Sequence, residues 1–583
     1  MKVTVRDNIV HTDVLIIGGG IAGLQAAIAA SANGAKVTVV EKADTRHSGS
    51  GGNGNDHFMC YIPEYHGDDF NEILQECAEN LAGRYQDFDV FATLLQRSFE
   101  MVKKWESYGI NMRPTGKYNY EGHAMPNRRR YFLKYDGWNQ KLVLTRTAKD
   151  QGVEIINKTA MNELLVDPNT GKVIGAIGVN CAEDIPEVIL FQAKAVIIAT
   201  GAGNRLYPGH NPAYLFNTDM CPANASAGDA MSFRAGAELV NLELPYVHAG
   251  LKHFMRCGKA TWIGVLRDIN GKAMGPFVTK PTRELGDITA DLWQGMFTEK
   301  MLNGTGPVYI DCTDIEEDDF QYMKRCFVSE GINSVNQALD QYGIDLRKEM
   351  IEFGTYTPHI QGMQIDTHAK TNVVGLFGAG DCTNNITNNI FDAACMGEIA
   401  GETAAAFAAA ADEIPVDGHP MIQKKVDLYN AILSRPEGAT WKESNTTLQQ
   451  IMGQYVGYRV RSETLLKAAF KYVSDLKRYS RDMLGAQDAH ELMRALEVLD
   501  MIDVAQAVIL CADNRKETRP PNHNRTDYTY TNPLMNNKFQ TIRKTPEGIA
   551  GTVPFRKGVV MNFRPKGTLR DFYEQQRKET ETK

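Results

Sequence analysis

Six residues near the start of the chain, Gly18-Gly19-Gly20-Ile21-Ala22-Gly23, are spaced as G-x-G-x-x-G, and an acid, Glu41, stands eighteen residues after Gly23. Each position has a physical task in holding a dinucleotide. Gly18 permits a tight turn, Gly20 lets the backbone approach a pyrophosphate at a helix N-terminus opened by Ile21 and Ala22, and Gly23 allows close helix–strand packing. Glu41, with Lys42 beside it, is placed to accept hydrogen bonds from ribose hydroxyls. Two further glycine turns follow, Ala199-Thr200-Gly201-Ala202-Gly203 and Gly378-Ala379-Gly380-Asp381. A second concentration of reactive types lies in Tyr246-Val-His248-Ala-Gly250-Leu-Lys252-His253-Phe-Met-Arg256, with two imidazoles and two cations. Imidazole is the side chain suited to proton transfer near neutral pH. His359, in Thr357-Pro-His-Ile-Gln-Gly-Met-Gln-Ile365, and Arg283 complete the candidate catalytic set.

The elements that must position these residues follow from periodicity. Thr12–Ile17 is an apolar run, Leu24–Ala32 a good helix former and Val37–Val40 a β-branched run ending at Glu41, which together predict β-turn-α-β. Apolar residues at helical spacing between Asp69 and Lys104 predict a pair of helices, and strand-like runs follow at 153–156, 164–166, 173–179, 188–191 and 195–198. Residues from about 240 to 350 break that order and read as an inserted domain. A Rossmann-like strand, Val373–Phe377, returns before the last glycine turn. From Leu448 to about Asn514 the pattern is helical throughout, predicting a bundle, and the proline-bearing end predicts an extended segment. The expected divisions are 1–240 and 351–435 for the two parts of a nucleotide-binding domain, 241–350 for the insert, 436–530 for the helical domain and 531–583 for a tail.

Composition narrows the chemistry. With 583 residues, 43% of them hydrophobic, the chain can bury several cores. Its ten cysteines are dispersed with no CxxC pair, which argues against a zinc ribbon or an iron–sulfur cluster; no metal site is expected, and redox chemistry here needs another carrier. The N-terminus lacks the pattern of a secretory signal, and the best candidate span, Ile399–Ala411, is Ala-rich and interrupted by Glu402. With free thiols, this predicts a soluble protein of a reducing, cytoplasmic compartment. The net charge of −8 disfavours nucleic acid as a partner. Residues 531–583 nevertheless carry eleven Lys/Arg against five Asp/Glu, a local +6, so the tail is either a strap on the acidic body or a docking arm for an acidic partner.

The glycine fingerprint, the Ala199–Gly201 turn and the Gly378–Asp381 turn, in that order, resemble the motifs of FAD-containing two-dinucleotide-fold proteins, in which the late Asp holds the ribityl chain. With an insert between them and a bundle after them, the chain resembles the flavoprotein family of succinate dehydrogenase, fumarate reductase, L-aspartate oxidase and the alpha subunit of adenylylsulfate reductase. Gly236-Ala-Glu-Leu-Val-Asn241, Lys280-Pro-Thr-Arg283 followed by Gly306-Pro-Val-Tyr-Ile310, and Arg515-Lys-Glu-Thr-Arg519 with Arg525-Thr-Asp-Tyr528 look most like the last of these. The resemblance implies an α/β, Rossmann-like two-dinucleotide-binding FAD fold with an inserted α+β capping domain and a C-terminal helical bundle.

It also implies a cofactor site. Setting Asn53-Gly54 on the family's Gln-Gly pair puts Ser48 where succinate dehydrogenases carry a flavin-bearing His, so the FAD is expected to be non-covalent, with His47 one residue out of register. Asn53 to Asp56 then lie near flavin N5, and Ser48, Gly49, Asn53, Gly54 and Asn55 are expected cofactor contacts. Asp229, Asn389, Ala394 and Gly397 join the expected cofactor contacts, the last two on a helix beginning near Asp392 whose N-terminus faces the flavin N1/O2 edge. The family's substrate-binding arginines fall here on Gly250, Gly286 and Asn384, so no family substrate carries over. His359 matches a substrate-contacting His of the family, and the 246–256 stretch lies where relatives place catalytic groups. The expectation is an FAD-dependent oxidoreductase exchanging two electrons with a small molecule between FAD and capping domains, with a ferredoxin-like iron–sulfur partner and a possible oligomer. The alternatives are an electron-transfer subunit without its own substrate chemistry, or an adenylylsulfate or fumarate reductase with relocated arginines.

Overall fold

A computed structural model of the chain describes residues 1–583 except 81–86, 123–128, 210–214, 219, 246–248, 253–260, 276–277, 286–293, 356–359, 361, 384–388, 521, 537, 546–557 and 566–583. The apolar run at the N-terminus becomes the strand Val10–Ile17, central in an eight-stranded sheet. It pairs in parallel with Val37–Val40 on one side and with the second half of Glu187–Ile198 on the other. Glu154–Ile156 extends the sheet beyond Val37–Val40, and Leu376–Gly378 adds in parallel to Val196–Ile198. A parallel sheet covered on both faces reads as unbroken apolar runs, which is why Val14, Leu15 and Ile16 are fully buried. The first half of Glu187–Ile198 pairs instead with an antiparallel meander, Thr159–Val166 and Val173–Asn180, so one long strand serves both sub-sheets.

Helices Ile21–Ala32 and Ile390–Ala410 pack across the parallel strands with small residues at their crossing. A Cβ on Gly397 would stand 2.4 Å from Ala22 O, and one on Gly401 2.3 Å from Ala26 O. That closeness holds the N-termini of the two helices on the same side of the sheet, where the glycine turns emerge.

The insert folds around its own core, including Trp262, Phe327 and Phe353, on a four-stranded antiparallel sheet in the order Ala249–Leu251, Ile351–Thr355, Val308–Asp311, Val265–Arg267. This sheet runs to Thr355, past the expected boundary at 350, because Ile351–Thr355 finds its partners inside the insert. Helices Trp441–Tyr455, Glu463–Met483 and Ala489–Asn514 form the C-terminal bundle, and Pro420–Leu433 packs into the same core. Two expectations need correction. The late Rossmann strand is shorter than Val373–Phe377, at Leu376–Gly378, because the chain turns at Gly375, whose φ is +78°. The tail is not simply extended: Lys538–Lys544 and Val559–Pro565 form a hairpin that adds to Leu239–Val240. No helix of the described residues is long and apolar enough to cross a membrane.

Candidate functional site: a glycine-lined cleft

The carboxyl ends of the parallel strands open into a cleft of about 1520 Å³, counted out to its mouth. Gly18, Gly20, Ile21 and Ala22 form one wall, Ala199, Thr200 and Gly201 another, and Gly380 and Asp381 a third. The turn at Gly18 has φ +103°, a conformation that favours glycine, and a Cβ there would stand 2.4 Å from Ala199 O. Gly23 lies behind the wall, where a Cβ would be 1.9 Å from Gly18 O. Gly20, by contrast, faces open space: its nearest neighbour to an added Cβ is Ala199 O at 4.0 Å, and Gly49 approaches from across the gap. Gly20 is also the N-cap of helix Ile21–Ala32 and supplies no side-chain cap, so the first amides of that helix point at the cleft.

Glu41 lines the cleft with its carboxylate fixed by two backbone amides, Gly19 N at 2.7 Å and Ala43 N at 2.7 Å. Lys42 also lines it, but its ammonium turns outward to Glu497, 2.6 Å away on the last bundle helix, and to the carbonyl of Ala223. Gly49, Gly54 and Asn55 line the cleft; Asn53 does not, being packed under Gly331 of the insert. Ser48 sits just behind the lining with its hydroxyl buried and unpartnered, and His47 is exposed and outside the cleft. On helix Ile390–Ala410 the N-cap Asn389 and Ala393 line the cleft, while Ala394 and Gly397 are buried against its own packing face.

Asp229 is 1% exposed and both its oxygens lack a hydrogen-bond partner; burial pushes its carboxyl well above the ordinary carboxylate range. It stands against Gly362, behind the cleft wall. The Thr200 hydroxyl, in the wall itself, is likewise buried without a partner. Orphaned hydroxyls beside an amide-lined gap with a carboxylate at one end are the donor and acceptor set that an adenine dinucleotide requires.

Two features carry no sequence motif. Lys141, on helix Gln140–Asp150, donates from beneath the glycine turn to Gly19 O; burial lowers its ammonium to about 8, against the attraction of Glu41. At the end of the cleft nearest the insert, His57 and Glu330 both line the wall. Asp56 Oδ1 is 2.8 Å from His57 Nδ1, and its other oxygen accepts from Lys134 Nζ at 2.5 Å and from Ser329 Oγ at 3.0 Å. Glu330 Oε1 is 3.9 Å from His57 Nδ1 and accepts from Thr261 Oγ1 at 2.8 Å. His57, Asp56 and Glu330 have the separations of a metal-ligand group, but Lys134 already supplies the cation. The acid–His pair is adjacent in sequence; only closure of the insert adds Ser329 and Glu330.

Of the candidate catalytic residues, His248, His253, Arg256 and His359 lie outside the described residues. Lys252 pairs with Glu352, and Arg283 is held by Asp318 and Asp319 with its guanidinium 4.6 Å from the Tyr322 ring centroid. Gly250 lies in strand Ala249–Leu251, opposite Gly354. Among the described cysteines none forms a disulfide, and burial pushes the thiols of Cys60, Cys312, Cys326 and Cys382 up to about 12. At about 12 those thiols are protonated at neutral pH.

A parallel-sheet cleft with a glycine turn, a fixed acid and a second glycine turn, closed by an insert, defines a dinucleotide-binding protein. The chain belongs to the FAD binding domain family, whose pattern it matches over residues 13–395, and residues 445–548 match the fumarate reductase flavoprotein C-terminal family. It is an FAD-dependent oxidoreductase of the fumarate reductase and succinate dehydrogenase group. It is 25% identical over 575 residues to one of the subunits of the CoM/CoB fumarate reductase of Methanothermobacter marburgensis, covering 91% of this chain and 97% of that one. The alpha subunit of adenylylsulfate reductase from Megalodesulfovibrio gigas is 24% identical over 53% of this chain and 51% of its own. The fold is that of adenylylsulfate reductase from Archaeoglobus fulgidus, with a TM-score of 0.82, 22% identity and 97% of both chains covered.

Proposed function

We propose that the protein binds FAD without a covalent bond and passes two electrons between it and a small molecule held where the cleft meets the capping insert. The observation that carries this is the cleft itself: helix amides, the fixed Glu41 carboxylate and the Thr200 hydroxyl at one end, and the His57–Asp56–Glu330 group from two domains at the other. FAD, when bound, supplies a reversible two-electron centre at N5, by hydride exchange or adduct formation. The chain supplies the rest. Glu41 orients the ribose, Asp381 stands at the turn expected to hold the ribityl chain, and the amides at Gly20–Ala22 take the pyrophosphate. The insert excludes water, and an imidazole moves the proton, with His248, His359 and His253 as the candidates expected from sequence and His57 added by geometry. Arg256 would supply local positive charge, Lys252 is spent on its pair with Glu352, and Arg283 steadies the insert through its two aspartates. The absence of a histidine at Ser48 supports a non-covalent flavin.

No second redox centre is apparent in the cysteine pattern, so electrons reach the flavin from a reduced small molecule or from an iron–sulfur protein that docks. The Methanothermobacter relative carries the name of one subunit among others in a fumarate reductase, which supports a partner. Oligomer formation and a cytoplasmic location belong to the same reading. Acid precipitation of the purified protein should release free FAD to the supernatant, and an anaerobic dithionite titration should take up two electrons per flavin. Yellow colour retained in the pellet would overturn the linkage, and a protein that binds no flavin would overturn the reading.

A further inference from the structure

Outside the flavin cleft, an open cavity of about 1240 Å³, counted out to its mouth, lies between the capping sheet and the helical domain. Phe297, Met301 and Phe353 give it an apolar wall on the insert side. Facing them, the turn after helix Trp441–Tyr455 brings Tyr458 and Arg459 to the surface of the cavity. The Arg459 guanidinium is oriented by hydroxyls, not by an acid. Its Nε donates to Tyr458 Oη at 3.0 Å and an Nη donates to Thr355 Oγ1, while Thr355 and Tyr458, both buried, are themselves 2.8 Å apart. No carboxylate among the described residues pairs with it. The other cation of the cavity, Lys252, is already neutralised by Glu352. Among the described residues the cavity therefore presents one unpaired positive charge, beside an apolar wall.

Thr355, paired with Ala249 at one end of the capping sheet, lines the cavity together with Gly354 and Phe353. The loop that lines the flavin cleft at Ala199–Gly201 also continues to Tyr207–Gly209 in this cavity.

We propose that this cavity is the entry site for the substrate and that Arg459, from the helical domain, binds the head group of a monoanion, a carboxylate or sulfonate carrying an apolar body. This rests on the proposed function and supplies the guanidinium that Gly250, Gly286 and Asn384 do not. A planar fork matches an oxyanion in two parallel hydrogen bonds, whereas a lysine would offer only a point charge. Phe297, Met301 and Phe353 then set the preference for a hydrocarbon body over a second charge.

Calorimetric titration of the FAD-loaded protein with trans-cinnamate, β-styrenesulfonate and the neutral cinnamamide tests this. At least one of the two anions should bind roughly tenfold or more tightly than the amide, and which one does so identifies the head group. Arg459→Gln should abolish that preference with FAD content unchanged, and Arg459→Lys should keep part of it. A preference retained in Arg459→Gln would overturn the proposal, as would failure of both anions to bind the wild type. If an anion binds through Arg459 but reduced flavin passes electrons to no small molecule, the anion site stands and the proposed function falls.

Discussion

At Gly23 a single methyl group decides whether the cleft can form. A Cβ there would overlap Gly18 O at 1.9 Å, in the turn that shapes the pyrophosphate wall. Gly23→Ala should therefore purify without FAD, or fail to fold, and flavin absorbance per chain reads the outcome. A second residue makes stability depend on pH. Arg461 Nη1 donates to His523 Nδ1 at 2.6 Å, which forces the proton to Nε2, donating to Arg515 O at 3.1 Å. Burial, then Arg461 and Arg515, drives the His523 pKa well below its ordinary value. The imidazole stays neutral in the folded state while the unfolded chain takes up a proton below about pH 6.5. The unfolded state then binds more protons, so stability is complete above pH 6.5 and falls as pH drops below it. Urea midpoints at pH 7 and pH 5.5 should show a larger loss for the wild type than for His523→Asn; equal losses would contradict the assignment. The glycines and Glu41 were legible in the sequence because their spacing is local. Lys141 and the His57 group were not, since each becomes a site only through contacts from distant segments.

Individual elements carry local signals at their ends, whereas their partners are set by distant segments. Helix Trp441–Tyr455 begins with a capping box: Thr440 Oγ1 accepts from Glu443 N at 3.2 Å, and a Glu443 carboxylate oxygen accepts from Thr440 N at 2.9 Å. Thr440→Ala should cost about 1 kcal/mol in denaturant unfolding and leave flavin content unchanged. The apolar periodicity begins only at Leu448 and so starts this helix late; the Thr-x-x-Glu spacing at 440–443 is the local signal that marks its true start. Strand partners announce nothing comparable. The Ile351–Thr355 strand belongs to the insert only because it lies between Ala249–Leu251 and Val308–Asp311, and the tail hairpin exists because Leu239–Val240 offers it an edge.

Over the whole molecule, domains are joined by buried ions as well as by apolar cores. Arg515, 1% exposed, donates from Nε to Glu243 at 2.6 Å and from Nη1 to Glu517 at 2.8 Å, and Arg461 Nη1 donates to Glu243 O at 2.7 Å. This cluster ties the base of the insert to the bundle and explains why the Arg515–Arg519 and Arg525–Tyr528 stretches stand out in the sequence. Removing one buried partner leaves an uncompensated charge, so Glu243→Ala should cost about 3–5 kcal/mol in unfolding free energy, and a change below about 1 kcal/mol would contradict the role. A second cluster, Glu497 with Lys42, Arg205 and Arg494, links the nucleotide cleft to the bundle. The order of domains could be read from motif order; which charges close the joints could not, because each pair draws on residues far apart in the chain. The central claim is that this fold moves two electrons between bound FAD and a small acceptor. It is tested most directly by reducing the FAD-loaded protein anaerobically and mixing it with enoates, sulfur oxyanions and nucleotides while following flavin absorbance. Full reoxidation by one class, at a rate that saturates with its concentration, is the predicted result; flavin that stays reduced with every class, and reoxidises only with an iron–sulfur protein, would contradict it.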